Sequence, residues 1–363
     1  MNTPQEAQEA WYTTLGPESD VILSSRVRLA RNLSGFAFPD YLKSDDAERV
    51  LSLVFDAFNH CEEAASYQMV RISGIDVMGR KILAERGIME AIQGVEPWRG
   101  MVIKNDGILS ALVNVEDHLR IACFAPGFDI PRCATLAHSL DSSIQKRMQF
   151  SAREDFGYVT ANVLNSGTGM KVSVLASLPA LCMSGMIDRV IRDFLASGFT
   201  ITGTYPAEGS LSAGSLYQLS NTSACEGSVE TQIRALEESG SKLIDLERKS
   251  RTELLASRST RVEDTVFRAI VTAKYARFIA YAEAVDLIQR IRLGFALGLI
   301  TGTTHADLTA LLYRVQNAHI GFVILSGSII IEEDIDSEEL RLDRLRAMVI
   351  QEVLKKADIR ERR

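Results

Sequence analysis

Two arginines and a serine alternate with apolar residues in the stretch 23–29. This alternation, with Ser25 at one of the apolar positions, predicts a half-buried β-strand. Alternate residues of a strand share a face, so Ser24, Arg26 and Arg28 are expected to point the same way. Two guanidinium groups and a hydroxyl on one face suit an anion, and phosphate oxygens in particular. The alternative is an edge strand with two solvated arginines.

A second polar group, Glu116-Asp117-His118, lies between two apolar segments. Three ionisable side chains between apolar strands are costly to bury unless they are paired. The pattern therefore fits either a structural ion-pair cluster or a reactive site. A Gly-Thr-Gly turn at residues 167–169 adds a weak signal, since glycines let backbone N–H groups approach a phosphate closely.

Composition limits the classes of protein that could carry these residues. The chain has 363 residues, of which 46% are hydrophobic and 24% charged, as in globular proteins. The net charge of −7 argues against general attraction to nucleic acid or to an anionic membrane. We find neither a signal peptide nor an apolar run of the ~18 residues that a membrane span needs. The five scattered cysteines favour buried thiols in a reducing cytoplasm over disulfides or a zinc site.

The elements expected to position these residues form an α+β fold. Short strands separated by turns, with helices between them, predict a largely antiparallel sheet flanked by helices. The turn Asn105-Asp106-Gly107 predicts a hairpin. Leu136, Leu140, Ile144 and Met148 recur every four residues, which predicts a helix packed on the sheet. After about residue 228 the chain becomes rich in helix-forming residues and predicts a helical C-terminal domain, with a solvated acidic loop near residues 332–339.

Residues 24–32, together with the segment 114–120 and the glycine turn, resemble the phosphagen (ATP:guanido) kinases. The sequence is most similar to the bacterial protein-arginine kinases of that family, over roughly residues 16–350. The resemblance implies a polar N-terminal lead (1–18), a catalytic domain (19–257) and a helical domain for dimerisation or regulation (258–363).

The resemblance also implies roles for single residues. Glu116 and Glu208 match the two carboxylates that hold and deprotonate the substrate guanidinium. Such a carboxylate is needed because a guanidinium, with a pKa above ~12, is not nucleophilic until it loses a proton. The positions implied to bind ATP, whose phosphates carry Mg²⁺, are Ser24, Arg26, Arg28, Arg120, Lys171 and Ser173.

Several positions depart from the family pattern. Val115 replaces a Glu, and Asn162 replaces a substrate-contacting Cys. Lys171 replaces a phosphate-clamping Arg, which keeps the charge but loses bidentate geometry. Another such Arg becomes Thr202, and Gly87 stands where a nucleotide-stacking His is usual.

The helical tail resembles the regulatory phosphoarginine site of protein-arginine kinases. The family motif is Arg-Asp-x-x-Arg-Ala, and this chain matches it at Asp343, Arg346 and Ala347 but has Leu342 at the first position. The alternative is a charged helix face.

We therefore expect a cytoplasmic protein that uses ATP and Mg²⁺ to phosphorylate arginine side chains of proteins, and the resemblance implies that it forms a homodimer. An activator protein would be a further partner, whereas nucleic acid and membrane would not. Two other hypotheses stay open. One is an impaired relative that binds nucleotide, phosphoarginine or a partner protein as an adaptor, which the changes at Asn162, Lys171 and Thr202 motivate. The other is a kinase for a free guanidino metabolite.

Overall fold

The computed structural model describes residues 10–89, 95–204, 213–225, 227–327 and 329–360. The strands within these residues are β1 Ile22–Arg31, β2 Tyr67–Arg71, β3 Gly100–Lys104, β4 Leu109–Val113, β5 Leu119–Pro126, β6 Ala152–Arg153, β7 Gly157–Tyr158, β8 Met170–Ser177, β9 Phe199–Gly203, β10 Leu216–Asn221, β11 Ile300–Thr301 and β12 Asp358–Ile359. The helices are α1 Ser44–Asn59, α2 Val77–Glu85, α3 Ile130–Gln145, α4 Pro179–Met183, α5 Ile187–Ala196, α6 Val229–Tyr275, α7 Tyr281–Ala296, α8 His305–Arg314, α9 Asn317–Leu325 and α10 Glu338–Val353.

The chain divides into two compact units whose segments alternate along the sequence. The first unit comprises Met1–Gly16, Ser24–Val174 and Ser220–Ser239, and the second comprises Pro17–Leu23, Leu175–Leu219 and Gly240–Arg363. The domain boundary predicted at residues 257 and 258 stays a prediction. Helix α6 leaves helical backbone geometry at Arg258, with φ −143° and ψ 38°.

The sheet of the first unit has the strand order β2-β3-β4-β5-β1-β8. Strands β2 to β5 pair antiparallel in succession, and β1 pairs antiparallel with β5. The predicted hairpin joins β3 to β4, where Gly107 adopts a φ of 71° and Asp106 accepts a hydrogen bond from the backbone N–H of Ile108. Since left-handed φ values favour glycine, the turn sequence specifies this connection.

Two helices of the first unit bury one apolar stripe each. In α1, Val50, Leu51, Val54 and Phe58 are buried, at the four-residue spacing expected of an amphipathic helix. In α3, Leu140 and Ile144 are buried as predicted. The prediction was wrong at the end of α3, because the helix stops at Gln145, before Met148.

The second unit is largely helical. Its core contains side chains from α6, α7, α8 and α10, including Val262, Ile288, Leu308 and Ile350. Strands β9 and β10 are neighbours in it, and Thr204 donates its backbone N–H to Leu216 O. The acidic segment predicted as a solvated loop is non-helical and largely exposed until α10 begins at Glu338. Within this segment, Glu332 makes ion pairs with Arg277 and Arg344. An α+β fold with a largely antiparallel sheet and a helical C-terminal part is confirmed.

Of the helices in the described part of the chain, none by itself is long and apolar enough to cross a bilayer, and only the bent pair α8 and α9 passes such a test together.

Candidate active site

A five-residue loop between β4 and β5 carries Glu116. Val113 and Leu119 are paired at the ends of the two strands, so residues 114–118 must reverse the chain. Asn114 makes this possible with a left-handed φ of 55°, and its side-chain amide donates to Ala47 O and Trp98 O, each over 2.9 Å. Asn tolerates this backbone region better than most residues.

The two neighbours of Glu116 serve the structure of the loop. The buried Asp117 carboxylate accepts hydrogen bonds from Asn32 Nδ2 (2.6 Å) and from the backbone N–H of Ala161 (2.8 Å). Burial raises the pKa of Asp117. His118 Nδ1 accepts from the backbone N–H of Leu33 over 3.0 Å, so its proton resides on Nε2, which lies 2.8 Å from Ala37 O.

His118 is therefore a neutral structural residue, and burial lowers its pKa. Of the three consecutive ionisable residues, Glu116 is the exposed one, with 40% of its side chain accessible. The sequence left open a structural cluster or a reactive site. Asp117 and His118 have the structural role of holding the loop, whereas Glu116 projects from it and is available for chemistry.

Strand β1, which carries Arg26 and Arg28, pairs with β5, and β5 begins directly after this loop. Arg26 is paired with Phe124, Arg28 with Ala122, and Ala30 with Arg120. Because paired residues of antiparallel strands project from the same face, Arg28 and Arg120 share a face as diagonal neighbours. On the other side of β1, Ala30 donates its backbone N–H to Gly169 O over 2.8 Å, which aligns β8 and its Lys171 with the same strand.

These residues surround a cavity of about 200 Å³. Its lining comprises Arg28, Ala30, Glu116, Arg120, Asn162, Asn165, Gly169 and Lys171. Three cationic side chains and two amides thus accompany a single carboxylate. Arg120 Nη1 lies 3.8 Å from Glu116 Oε2, with 8% of the Arg120 side chain exposed. Such a cavity is suited to a polyanion next to a group that loses a proton.

The glycine turn has a different physical basis from the one the sequence suggested. A Cβ atom on Gly169, whose φ is 64°, would overlap Arg31 Nη1 and lie 2.7 Å from Ala30 O. A Cβ atom on Gly167 would lie 2.6 Å from Ala224 O. Close packing of backbone against backbone therefore requires both glycines, and Gly169 also lines the cavity.

Asn162 lies at the start of the loop that leads into this turn. Its side-chain Oδ1 accepts the backbone N–H of Leu164 over 3.0 Å, and its backbone carbonyl accepts the Thr160 hydroxyl over 2.7 Å. The residue is exposed and lines the cavity. Asn165 also lines the cavity, although the sequence did not lead us to single it out. Its position three residues after Asn162, in the same loop, is the feature of the sequence that could have indicated it.

The remaining predicted residues are distributed as follows. Ser24 and Ser173 are buried on β1 and β8. Arg26 is half-buried, with its guanidinium carbon 4.8 Å from the centre of the Phe124 ring. Thr202 is exposed on β9 in the second unit. Glu208 lies outside the described residues.

The predicted regulatory pair lies on α10. Arg346 is 1% exposed, and its guanidinium donates to Val315 O, Ile279 O, Asn317 Oδ1 and Asp343 Oδ1 over 2.5–2.8 Å. These contacts fix α10 to its neighbours within the second unit, a structural role that the charged-helix alternative did not include. Binding of phosphoarginine there stays a prediction.

Comparison with known proteins agrees with this description. The profile of the ATP:guanido phosphotransferase C-terminal catalytic domain matches residues 49–250, and that of the protein-arginine kinase McsB C-terminal domain matches residues 259–363. A protein-arginine kinase of Desulforamulus reducens is 36% identical over 296 residues, covering 80% of this chain and 83% of the relative. One from Syntrophomonas wolfei is 32% identical over 341 residues, covering 93% and 92%.

Solved structures show the same fold at lower identity. The duplicated taurocyamine kinase of Schistosoma mansoni superimposes with a TM-score of 0.57 at 22% identity, over 69% of this chain and 36% of that duplicated chain. A lombricine kinase gives a TM-score of 0.55 at 20% identity, over 68% of this chain and 72% of its own. The profile matches and the close relatives together show that the chain belongs to the ATP:guanido phosphotransferase family, within its group of protein-arginine kinases.

Proposed function

We propose that the protein transfers the γ-phosphoryl group of ATP to the guanidinium of arginine residues in proteins. The observation that carries this proposal is the cavity in which Arg28, Arg120 and Lys171 accompany the carboxylate of Glu116. Phosphoryl transfer needs cations around the phosphates and a base near the nucleophile, and this lining supplies both.

Glu116 acts on the nucleophile. Its carboxylate orients the substrate guanidinium and accepts one N–H proton, which frees a nitrogen lone pair for attack. The N–P bond forms as the bond between the γ-phosphorus and the bridging oxygen breaks, and ADP leaves with that electron pair. Glu208 is proposed as the second carboxylate on the strength of its family motif alone.

The cationic residues act on the nucleotide. Arg28 and Arg120 can donate paired N–H groups to phosphate oxygens, whereas Lys171 supplies a compact charge. Ser24, Arg26 and Ser173 are proposed to belong to the same ATP site. Mg²⁺ is proposed to enter bound to the ATP phosphates; the described residues contain no group of three or more His, Cys, Asp and Glu side chains suited to hold a metal.

The altered positions are proposed to slow the reaction rather than to change its type. Loss of one preorganised donor in a transition state typically costs about 10²–10³ in rate, and Thr202 supplies no cation where the family has one. Asn162 cannot supply a thiolate to the substrate. Lys171 keeps a positive charge in the lining of the cavity.

The cellular setting is also a proposal. Protein substrates follow from the protein-arginine kinase relatives. A reducing cytoplasm is proposed from the five free cysteines. A homodimer, an activating partner, and the domain limits 19–257 and 258–363 are proposed from the family resemblance.

A phosphotransfer assay tests the proposal. The purified chain is incubated with ATP, Mg²⁺ and an arginine-rich protein, and acid-labile phosphate is measured on that protein. We expect labelling that falls to background in a Glu116→Gln, Glu208→Gln double variant and persists in Glu154→Gln, which alters an exposed acid on another loop. Labelling of the double variant equal to that of the unaltered chain would refute the assignment. Labelling of free arginine but not of protein would favour a metabolite kinase.

A further inference from the structure

The N-terminal segment before β1 packs an aromatic side chain on β5, the strand that pairs with Arg26 and Arg28 of β1. Trp11 lies in a short 3₁₀ turn, Trp11–Thr13, and is 6% exposed although the surrounding sequence is polar. Its ring stacks on that of Phe124, with centroids 5.1 Å apart and planes inclined by 9°. Within the described part of the predicted polar lead, Trp11 therefore packs on β5.

This segment is held in place by contacts of its own. The Thr13 hydroxyl donates to Ala10 O over 2.7 Å, and the Thr14 hydroxyl donates to Trp11 O over 2.9 Å. Gly16 approaches the backbone of Pro126 so closely that a Cβ atom there would overlap Pro126 O. The hydroxyl contacts thus define the turn, and the approach of Gly16 to Pro126 holds its C-terminal side against the end of β5.

Phe124 links Trp11 to Arg26. Phe124 is the strand partner of Arg26, and its ring centre lies 4.8 Å from the guanidinium carbon. A guanidinium is attracted to the face of an aromatic ring, and contact with a ring uses none of its N–H donors. The ring can therefore help to hold Arg26 through the face of its guanidinium, and it does not itself use the N–H groups that bind phosphate oxygens.

Holding an arginine before its ligand arrives has a thermodynamic benefit. A long side chain loses rotamer freedom when it binds a ligand, and a side chain ordered in advance loses less. The ring can order Arg26 only if the ring itself stays in place. Trp11 covers Phe124, so it limits the movement of that ring.

We propose that Trp11 is a positioning residue for nucleotide binding, which acts through Phe124 on the guanidinium of Arg26. The inference rests on the proposed ATP-binding role of Arg26. It gives the N-terminal segment, through Trp11, a role in nucleotide binding.

The test is a double-mutant cycle on the full-length chain, with Mg²⁺ADP as the probe and its Kd measured by calorimetry. Trp11→Ala is expected to raise Kd about fivefold, the factor that corresponds to loss of the cation–π contact between Phe124 and Arg26 once the Phe124 ring is no longer held. Trp11→Phe retains an aromatic ring and is expected to stay within about twofold of the unaltered chain. Trp98→Phe is the matched control at the other tryptophan and should leave Kd unchanged.

The Arg26→Gln background separates positioning from a general structural effect. If Trp11 acts through Arg26, then Trp11→Ala should change Kd by less than about 1.5-fold once Arg26 is Gln. An equal loss in both backgrounds would overturn the inference. If Arg26→Gln alone has a normal Kd, the proposed role of Arg26 in ATP binding is wrong. If Arg26→Gln weakens binding but Trp11→Ala does not, the role of Arg26 stands and only the positioning role of Trp11 is refuted.

A second variant keeps the test decisive should Trp11→Ala unfold. Phe124→Leu retains apolar volume but removes the ring face, and a change of this kind is usually tolerated in a core. It is expected to raise Kd about fivefold as well, with the same dependence on Arg26. A Kd equal to that of the unaltered chain in a folded Phe124→Leu variant would contradict the inference.

Discussion

Asn32 Nδ2 donates a hydrogen bond to the Asp117 carboxylate over 2.6 Å and so joins the end of the arginine strand to the loop that carries Glu116. The same Asp117 oxygen accepts the backbone N–H of Ala161, next to Asn162. One buried carboxylate thus ties together three segments that line the cavity. A site assembled from separate segments depends on such links, because small displacements of reacting groups reduce rates steeply.

Glu116→Gln tests the base. The amide keeps the size of the side chain but accepts a proton poorly, so kcat is expected to fall about 10²–10⁴-fold. The Kd for Mg²⁺ADP should stay within about twofold, since Glu116 is assigned to the guanidinium. Steady-state kinetics and calorimetry measure the two effects. A kcat equal to that of the Glu154→Gln control would contradict the assignment.

Arg28 and Arg31 lie three residues apart on β1, and their substitutions are expected to have different effects, on nucleotide binding and on stability respectively. Arg31 is 1% exposed and pairs with Asp141 over 2.8 Å. Arg31→Gln should destabilise the fold by about 3–5 kcal/mol, because it leaves a buried carboxylate without its partner. Arg28→Gln should leave stability nearly unchanged and weaken Mg²⁺ADP binding about tenfold or more.

Urea unfolding and ADP titration of both variants check this contrast. The expected result is a lower unfolding midpoint for Arg31→Gln and a higher Kd for Arg28→Gln. Similar behaviour of the two variants in both measurements would show that strand face does not separate their roles.

Two substitutions of Asp117 examine the link described above. Asp117→Ala removes the acceptor of two buried hydrogen bonds and should lower stability by about 1–3 kcal/mol, with a loss of kcat. Asp117→Asn keeps an acceptor oxygen and removes the cost of burying a charge, so its stability should remain within about 1 kcal/mol of the unaltered chain. Chemical denaturation measures the difference. Equal stability of the Ala and Asn variants would argue against the hydrogen bonds as the cause.

The lowered pKa of His305 predicts that the fold loses stability in mild acid. Burial, with the nearby charge of Arg292, lowers the pKa of His305 from 6.5 to about 4. Between these values the unfolded chain binds a proton that the folded chain does not, so stability is complete above pH 6.5 and falls as the pH drops towards 4. His305→Gln should reduce this dependence in thermal melts without abolishing it, since the pKa of His118 is also lowered by burial, whereas His60→Gln, at an exposed position, should leave it unchanged.

Much of the local structure follows from the sequence because the governing interactions are local. The alternation around Arg26 and Arg28 predicted β1, and both arginines are less buried than the alternating apolar residues Val27 and Leu29. The turn at Gly107 predicted the β3–β4 hairpin. Motifs in their family order also indicated the kinase family, which the comparisons confirm.

Only the tertiary structure decided which ionisable residues are structural. Asp117, His118, Arg31 and Arg346 have the same side-chain chemistry as catalytic groups, yet each is buried with partners distant in sequence. No sequence period encodes those partners, because strand register and helix packing bring them together. The position of Trp11 on Phe124 arises in the same way, from packing between residues more than a hundred positions apart.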